Sequence, residues 1–554
     1  MPTHMVNLDA LIPREDFAVD DPQKERPLEE GGKLKIVELE PGSVMYKWLR
    51  KPDFQRTTAQ WPPKKVAAFV KSFLSGDLIP ALIFWQSSTG GVFVIDGAHR
   101  LSALIAWVHD DYGDQGISLP FWDGDLPPEQ KAAAADTRRL IAQTVGSYAE
   151  VKHGAGLSPE RSAYSSNLAV GGITVQWVRG DASRAERSFH TINTEQTPIG
   201  DLEIRMIRDR RCPNAIAARS LISAGTGRHP PQSFSADTKG EIRSLSRSVY
   251  ETLFVPPLET PIKTLDLPVA GRSYSSETMK LALDLVEFVN RREPKQPAAA
   301  AERAGALGRP RPARGKRAEI LAPTMAADPD GSGTVAFLKG VRAAVRRIAG
   351  TGPESLGLHP AVYFYSATGA YQPAAFLAAI KLVGDLASGG RLNDFCLHRQ
   401  EFEELLVRRK RLLNEVVRRF GSGLRSLNAV HNLLRYLLEG TERGLREPDL
   451  LPWLAEKDGM KFLLSVVDPE KGIKPDFTTA RKSAAFLAAA LESAVRCAVC
   501  GARVHRASLH VDHTIDKKLG GRASAENAQI AHPYCDSTYK DWRRNAAAMA
   551  AASR

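Results

Sequence analysis

Between Lys64 and Leu74 the apolar residues Val66, Phe69, Val70, Phe73 and Leu74 recur at helical spacing and stop at Ser75-Gly76-Asp77, which predicts a helix closed by a breaker. Two β-rich runs follow, Ala81 to Gln86 and Val92 to Ile95, separated by a Ser-Ser-Thr-Gly-Gly turn. Leu101 to Val108 then reads as an apolar helix. A further strand at Ile173 to Val178 and a helix starting at Ala182 and running to Ile192 extend one α+β domain to Leu258. Residues 1–40 are polar, rich in Pro and Glu and weakly periodic, and read as a loosely held lead-in. Residues 259–293 turn helical. After Thr334 the pattern is almost wholly helical, with apolar stripes beside charged faces at 334–349, 373–387, 400–420, 426–439 and 478–495.

The segment between these parts changes the picture through its composition. From Arg303 to Arg317 there are six basic residues and no acid, with Pro and Gly scattered through, so 294–333 reads as a linker or, alternatively, as a basic arm. The domain plan is therefore 1–40 lead-in, 41–258 α/β domain, 259–333 helix plus linker, 334–475 helical region and 476–554 a small C-terminal domain. The run EFEELLVRRKRLLNEVVRRF, with Arg408, Arg409, Lys410, Arg411, Arg418 and Arg419, is either a solvated helix face or a phosphate-tracking surface.

Length and charge set the class. A chain of 554 residues exceeds the roughly 250 to 300 at which single cores stop growing, so several domains are expected. With 43% hydrophobic and 25% charged residues it is neither disordered nor fibrous. No stretch reaches the about 18 apolar residues of a membrane span, and the N-terminus lacks a secretory pattern, so a cytoplasmic protein with no membrane partner is expected. The net charge of +12 is compatible with nucleic acid; Phe477 to the end carries 12 Lys+Arg against 6 Asp+Glu. Five cysteines make no disulfide scaffold, and three of them cluster near the C-terminus.

Those three carry the clearest chemistry. Cys497 and Cys500 form a CxxC pair, and His532 and Cys535 repeat its two-residue gap, which supplies four ligands for a structural, fully ligated Zn²⁺. Inside this clip, Asp512-His513 follows an apolar strand at Ser508 to Val511, Gly520-Gly521 makes a turn, Asn527 opens an apolar step and Asp536 follows the last zinc ligand. Phosphodiester hydrolysis needs a base for water, a divalent cation and an orienter for the base. His513 can activate water, Asp512 and Asp536 suit Mg²⁺ or Mn²⁺, and Asn527 can hold the imidazole in its useful tautomer. His505 and His510 compete for a zinc or base role, and His510 would share a strand face with Asp512.

Together these residues resemble the HNH nuclease family of the zinc-clipped ββα-metal type. The resemblance implies His513 as general base, Asp512 and Asp536 as catalytic-metal ligands and Asn527 as the central Asn. Two residues depart from the pattern: His532 replaces a cysteine of the closing pair, and Asp536 stands where Asn or His is usual. Lys540, Arg543 and Arg544 on the following helix are placed to touch DNA phosphate.

The second motif is Asp96-Gly97-Ala98-His99-Arg100, between a strand and a helix. A glycine there lets backbone amides approach a phosphate, the helix N-terminus supplies positive potential, and Arg100 can make a bidentate contact. Upstream lies Asp53-Phe54-Gln55-Arg56 and downstream Phe189 to Pro198 (FHTINTEQTP). This order of boxes, over roughly residues 40 to 210, resembles the ParB-like DGQHR superfamily, most closely the N-terminal domain of GmrSD-type modification-dependent nucleases and phosphorothioate-sensing antiphage nucleases. The resemblance implies nucleotide binding and hydrolysis at Asp96, His99 and Arg100, with Gly97, Gln55 and Arg56 nearby. Ala98 replaces a more usual polar residue, which removes a side chain that could position water.

The fold class expected is thus α+β: a ParB-like α/β domain, a helical middle and a zinc-clipped HNH motif. The function expected is a metal-dependent DNA endonuclease of antiphage or restriction type, acting on double-stranded and modified DNA, regulated by a nucleotide such as a nucleoside triphosphate, with a homo-oligomer as a further candidate partner. The alternatives are a DNA-binding regulator whose HNH motif is only structural, and a stand-alone nucleotide hydrolase.

Overall fold

The computed structural model describes residues 5–15, 32–52, 55, 58–59, 61–87, 90–122, 126–154, 158–196, 201–224, 233–273, 276–290, 325–421, 423–465 and 476–552. Asp53, Phe54 and Arg56, residues 197–200 of and beyond the FHTINTEQTP box, and most of the Pro/Ala/Gly-rich segment (291–324) lie outside them. The chain divides into two units, one holding residues 1–216, 226–239 and 311–331, the other residues 217–225, 240–310 and 332–554. The first helix and strands fall close to the expected bounds, and no helix of the described residues is long and apolar enough to cross a membrane.

In the first unit a mixed six-stranded sheet runs in the order β1-β3-β5-β4-β6-β2, from β1 (Arg14–Glu15), β2 (Lys33–Leu34) and β3 (Leu49–Pro52) through α1 (Pro63–Leu74), β4 (Leu82–Gln86), β5 (Val92–Asp96), α2 (Ala98–His109) and α3 (Pro128–Thr144) to β6 (Ile173–Val178) and α4 (Ala182–Gln196). β4 and β5 are an antiparallel hairpin, while β3 joins β5 and β6 joins β4 in parallel. The sheet is covered on both faces. Phe84, Val92 and Val94 pack with Val66, Leu101, Leu104 and Trp107, whereas Trp85, Phe93 and Ile95 face Ala185 and Phe189 of α4. This is the period-two alternation of a sheet buried on both sides.

For the described residues 5–15 and 32–40 the lead-in reading is corrected. Val6, Leu8, Leu11, Ile12, Leu34, Ile36 and Leu39 belong to the core, and β1 and β2 form the two edges of the sheet. The segment looks polar because part of its polarity is buried and paired. Asp9 accepts from Lys51 Nζ at 2.7 Å and from Arg14 Nε and Nη2, both at 2.9 Å. Burial alone would raise the Asp9 carboxyl; Arg14 and Lys51 hold it well below the ordinary range, while burial brings Lys51 down to about 8.

The second unit contains α5 (Ser276–Asn290), α6 (Ser332–Ile348), α7 (Pro373–Ser388), α8 (Leu392–Arg408), α9 (Lys410–Phe420), α10 (Leu427–Glu442), α11 (Thr479–Glu492), the hairpin β7 (His510–His513) and β8 (Ala528–Ala531), and α12 (Lys540–Ala552). The helix expected over 400–420 is two helices broken at Arg409, and the first starts at Leu392. The break turns Lys410 inward, where its ammonium donates to the carbonyls of Ala361 and Tyr365. The Arg/Lys run is therefore not one face: Lys410 is core, Arg418 pairs with Glu415, and Arg419 lies over the Phe462 ring. The helical region and the C-terminal motif, expected as separate domains, share this one unit.

Candidate metal centre and nuclease site

The metal centre is built by two tight turns that bring distant pairs together. Cys497 to Cys500 forms a turn in which Gly501 N donates to the Cys497 carbonyl at 2.9 Å, and β8 delivers His532 just before the helical turn that carries Cys535. The ligand atoms of Cys497, Cys500, His532 and Cys535 lie within 4.8 Å of one another, and all four residues are buried. His532 Nδ1 lies 3.4 Å from Cys500 Sγ and 3.8 Å from Cys535 Sγ. Its Nε2 lies 3.1 Å from the Arg503 carbonyl, which can only accept, so the proton sits on Nε2 and the Nδ1 lone pair faces the sulfurs. Three soft sulfurs and one oriented imidazole nitrogen fit Zn²⁺. Hydrogen bonds from Cys500 and Cys535 push the Cys497 thiol below its ordinary value, the contact with Cys497 raises Cys500, and contacts with Cys396 and Cys497 raise Cys535.

A buried ion pair supports this centre from below. Arg399 and Glu403, one turn apart on α8, are both fully buried and bonded at 2.9 Å. Arg399 also donates to the Leu356 and Gly357 carbonyls, at 2.5 and 3.1 Å, and Glu403 accepts from the Arg503 amide at 3.0 Å. A single carboxylate thus ties the knuckle to the helical region. Sequence spacing gave no sign of this pair, nor of Cys396, which hydrogen-bonds to Cys535; an i, i+4 Arg-Glu motif reads as surface until its burial is known.

The candidate catalytic residues occupy the adjoining hairpin. The apolar strand expected at Ser508 to Val511 begins at His510 and contains the Asp-His pair, because Ser508 closes a short 3₁₀ turn and its hydroxyl accepts from the Gly350 amide. Asp512 is opposite Gln529 and His513 opposite Ala528. Alternation puts Asp512 and His513 on opposite faces of the strand. Asp512 is buried and accepts from Lys540 Nζ at 2.8 and 2.9 Å, from Gln529 Nε2 at 3.0 Å and from the His513 amide at 2.7 Å. Burial alone would raise its carboxyl; these donors hold it below the ordinary value. Asp536 comes within 3.5 Å of the same Lys540 ammonium and within 3.4 Å of His510 Nδ1, which agrees with His510 sharing the Asp512 face. Both carboxylates therefore reach one cation, as hard ligands of a divalent ion would.

Among the described residues the His513 Nε2 has no hydrogen-bond partner, and it is shielded from solvent. Asn527 does not orient it. The Asn527 Oδ1 accepts from the Ile515 amide at 2.7 Å, and its Nδ2 donates to the Ile515 and Arg522 carbonyls at 3.1 and 2.8 Å. Its hydrogen-bonding groups are spent on latching the 514–522 loop, a correction to the tautomer-holding role. The three phosphate candidates are also differently employed: Lys540 neutralises the carboxylates, Arg543 donates to the Val499 carbonyl at 2.6 Å, and Arg544 pairs with Asp516 at 2.6 Å. The zinc competitor His505 stands apart, buried beside Asp266 at 3.5 Å, with burial lowering it to about 4.

In the first unit, Gly97 caps α2 with φ +94°, and a Cβ there would come within 2.3 Å of Leu82, so only glycine fits this strand-to-helix turn. Arg100 bonds Asp96 Oδ2 at 2.7 Å and the carbonyl of Pro80, which makes it a brace across the turn instead of an open phosphate fork. His99 stacks on Trp61 with ring centroids 5.7 Å apart, and Gln55 Nε2 donates to the Val94 carbonyl at 3.0 Å. The structure brings Asp96, Gly97, His99 and Arg100 to one turn, with Gln55 on the adjacent strand backbone.

Residues 497–541 match the family model described as HNH endonuclease. The segment is thus an HNH endonuclease domain, and such a domain points to a nuclease, a hydrolase class whose HNH members act on DNA. No curated protein and no solved structure matches the chain.

Proposed function

We propose that the chain is a metal-dependent DNA endonuclease in which Asp512, His513 and Asp536 carry the chemistry. The observation that supports it is that Asp512 and Asp536 reach one cation, Lys540, while the next residue along the strand, His513, has an Nε2 with no hydrogen-bond partner among the described residues, in the segment that also holds the Cys3His cluster. His513 takes a proton from water; the water oxygen bonds to phosphorus as the bond to the leaving oxygen breaks. Asp512 and Asp536 would hold Mg²⁺ or Mn²⁺, which supplies charge stabilisation at the phosphate. Cys497, Cys500, His532 and Cys535 would hold Zn²⁺, which would fasten the fold, since four protein ligands fill a tetrahedral site.

The N-terminal resemblance supports a sensor of nucleotide or DNA modification, and with it an antiphage or restriction role on double-stranded, modified DNA. A nucleoside triphosphate, the hydrolysis of which Ala98 disfavours, would have to open the Arg100–Asp96 pair. Cleavage of supercoiled plasmid, modified and unmodified, with Mg²⁺ or Mn²⁺ and with or without nucleotides tests this reading. Nicking or linearisation lost in His513→Ala, with zinc content retained, supports the assignment; equal cutting by the variant removes it.

One observation favours the second reading, a DNA-binding regulator with a structural HNH motif: the Lys540 ammonium balances the charge of Asp512 from within the chain. Duplex binding with no scission under any metal or nucleotide condition would select it.

A further inference from the structure

The strand carrying the Asp-His pair and the loop that follows it have a composition that folding does not require. Val511, Ile515 and Leu519 are 65, 55 and 76% exposed, three large apolar side chains within nine residues. Scattered apolar residues on a surface need no explanation, but a cluster on one short element does. Lys517, Lys518 and Arg522 stand among them, also exposed, and no carboxylate among the described residues pairs with them. Nearby Arg544, by contrast, is neutralised by Asp516.

This loop is held in one shape. Besides the three bonds of Asn527, the Leu519 and Gly521 amides donate to the Asp516 carbonyl at 2.8 and 3.0 Å, and Thr514 N donates to the Asn527 carbonyl at 2.9 Å. Gly521 is packed so closely that a Cβ there would lie 1.7 Å from the Ile515 carbonyl oxygen. A rigid loop that exposes a leucine pays no ordering entropy when it meets a partner. It leaves the strand directly after His513, and Val511 shares the His513 face by alternation.

Resting on the nuclease reading above, we infer that the 514–522 loop is the DNA-engaging probe of this domain: Lys517, Lys518 and Arg522 contact phosphates, and Leu519, with Ile515 beside it, wedges between base pairs in the groove. The charge selects DNA over an apolar protein partner, and an apolar side chain flanked by cations suits a wedge that unstacks a base step while the backbone is held.

The experiment uses the full-length, zinc-loaded His513→Ala protein, which cannot cut, and a mixed-sequence 30-bp duplex carrying 2-aminopurine. Each lost phosphate contact lowers the slope of log affinity against log salt by about 0.9, so K517A/K518A/R522A is expected to reduce it by roughly 2 to 3. Leu519→Ala is expected to leave the slope unchanged and abolish the 2-aminopurine fluorescence rise that reports unstacking. An unchanged slope in the triple variant overturns the interface, and an unchanged fluorescence rise in Leu519→Ala overturns the wedge. If wild type cuts plasmid while these variants bind as the parent does, this inference alone fails; a chain that neither binds nor cuts duplex removes the nuclease reading together with the loop's role.

Discussion

Lys540 Nζ lies 2.8 and 2.9 Å from the two carboxylate oxygens of Asp512, and this bidentate clasp, with Asp536 at 3.5 Å, puts the ammonium where a divalent ion would bind. Both partners are largely sequestered, with side-chain exposures of 12 and 6%, so the pair is worth more than a surface salt bridge. A metal ion must displace it. Lys540→Met is therefore expected to tighten Mn²⁺ binding to the zinc-loaded chain by about tenfold or more, which corresponds to about 1.4 kcal/mol, read by the loss of the free-ion electron paramagnetic resonance signal. Lys540→Arg, which keeps the charge, should bind Mn²⁺ no tighter than wild type. Equal affinities in all three would mean that Lys540 does not compete with the ion.

Zinc removal should unfold the C-terminal motif and not merely silence it. Each of the four ligands is buried, and the hairpin has little apolar core of its own, since Val511 is exposed and Ile530 only half-buried. In Cys500→Ser, zinc content by elemental analysis is expected to fall below one equivalent, with loss of amide-exchange protection across 497–540. Retained protection in zinc-free protein would assign the fold instead to contacts with the helical region, where Arg503 Nε donates to the Leu491 carbonyl and the Tyr534 hydroxyl to Asn393.

Asn527→Ala separates the latch from the chemistry. Loss of three hydrogen bonds to the loop backbone is expected to cost about 1 to 3 kcal/mol locally and to accelerate hydrogen exchange at Ile515, while the His513 ring tautomer followed by NMR stays as in wild type. A changed His513 tautomer would restore the orienting role expected from sequence.

How much was legible follows from the kind of signal each residue emits. The four zinc ligands announce themselves through matched spacing, because the metal demands two-residue gaps whatever the surrounding fold. The hairpin β4–β5 and helices α1 and α2 were legible from periodicity alone. Roles that depend on a partner distant in sequence were not. Asn527 reaches Ile515, Lys540 reaches Asp512 and Arg399 reaches Gly357, none of which composition encodes. The core membership of Val6, Leu11 and Leu34 was hidden for the same reason: two-residue strands leave no period to detect, and Asp9 and Lys51 look like solvent residues until their pairing is seen.

Stability should fall with acid through His505. Burial lowers this histidine from 6.5 to about 4, with Asp266 opposing the shift. The unfolded chain therefore binds the extra proton between these values, so stability is fully present above pH 6.5 and is lost as pH falls toward 4. The loss amounts to about 3 kcal/mol at 1.36 kcal/mol per unit. His505→Gln is expected to flatten the denaturant midpoint over pH 4 to 6.5. An identical slope in the variant would assign the acid sensitivity to another group, His359 being the first to try since its ring lies 5.5 Å away and burial lowers it too.

Gly357 tests whether the helical region sets the geometry of the zinc site. Its φ is +57°, and a Cβ there would lie 2.8 Å from Ser508 Cβ and 3.0 Å from His532 Cδ2. Neither neighbour can retreat freely: the Ser508 hydroxyl accepts from Gly350, and the His532 ring is fixed between the Arg503 carbonyl and the sulfurs. Backbone strain and overpacking together are expected to cost Gly357→Ala about 2 to 4 kcal/mol. Because the displaced group is a metal ligand, the loss should appear as faster zinc release to a chelator as well as a lower denaturation midpoint. Gly350→Ala is the control, since a Cβ there meets nothing within 4 Å although its φ of +110° carries strain of its own. If both variants lose stability equally and neither changes the rate of zinc release, the cost lies in the backbone alone and the helical region does not position His532.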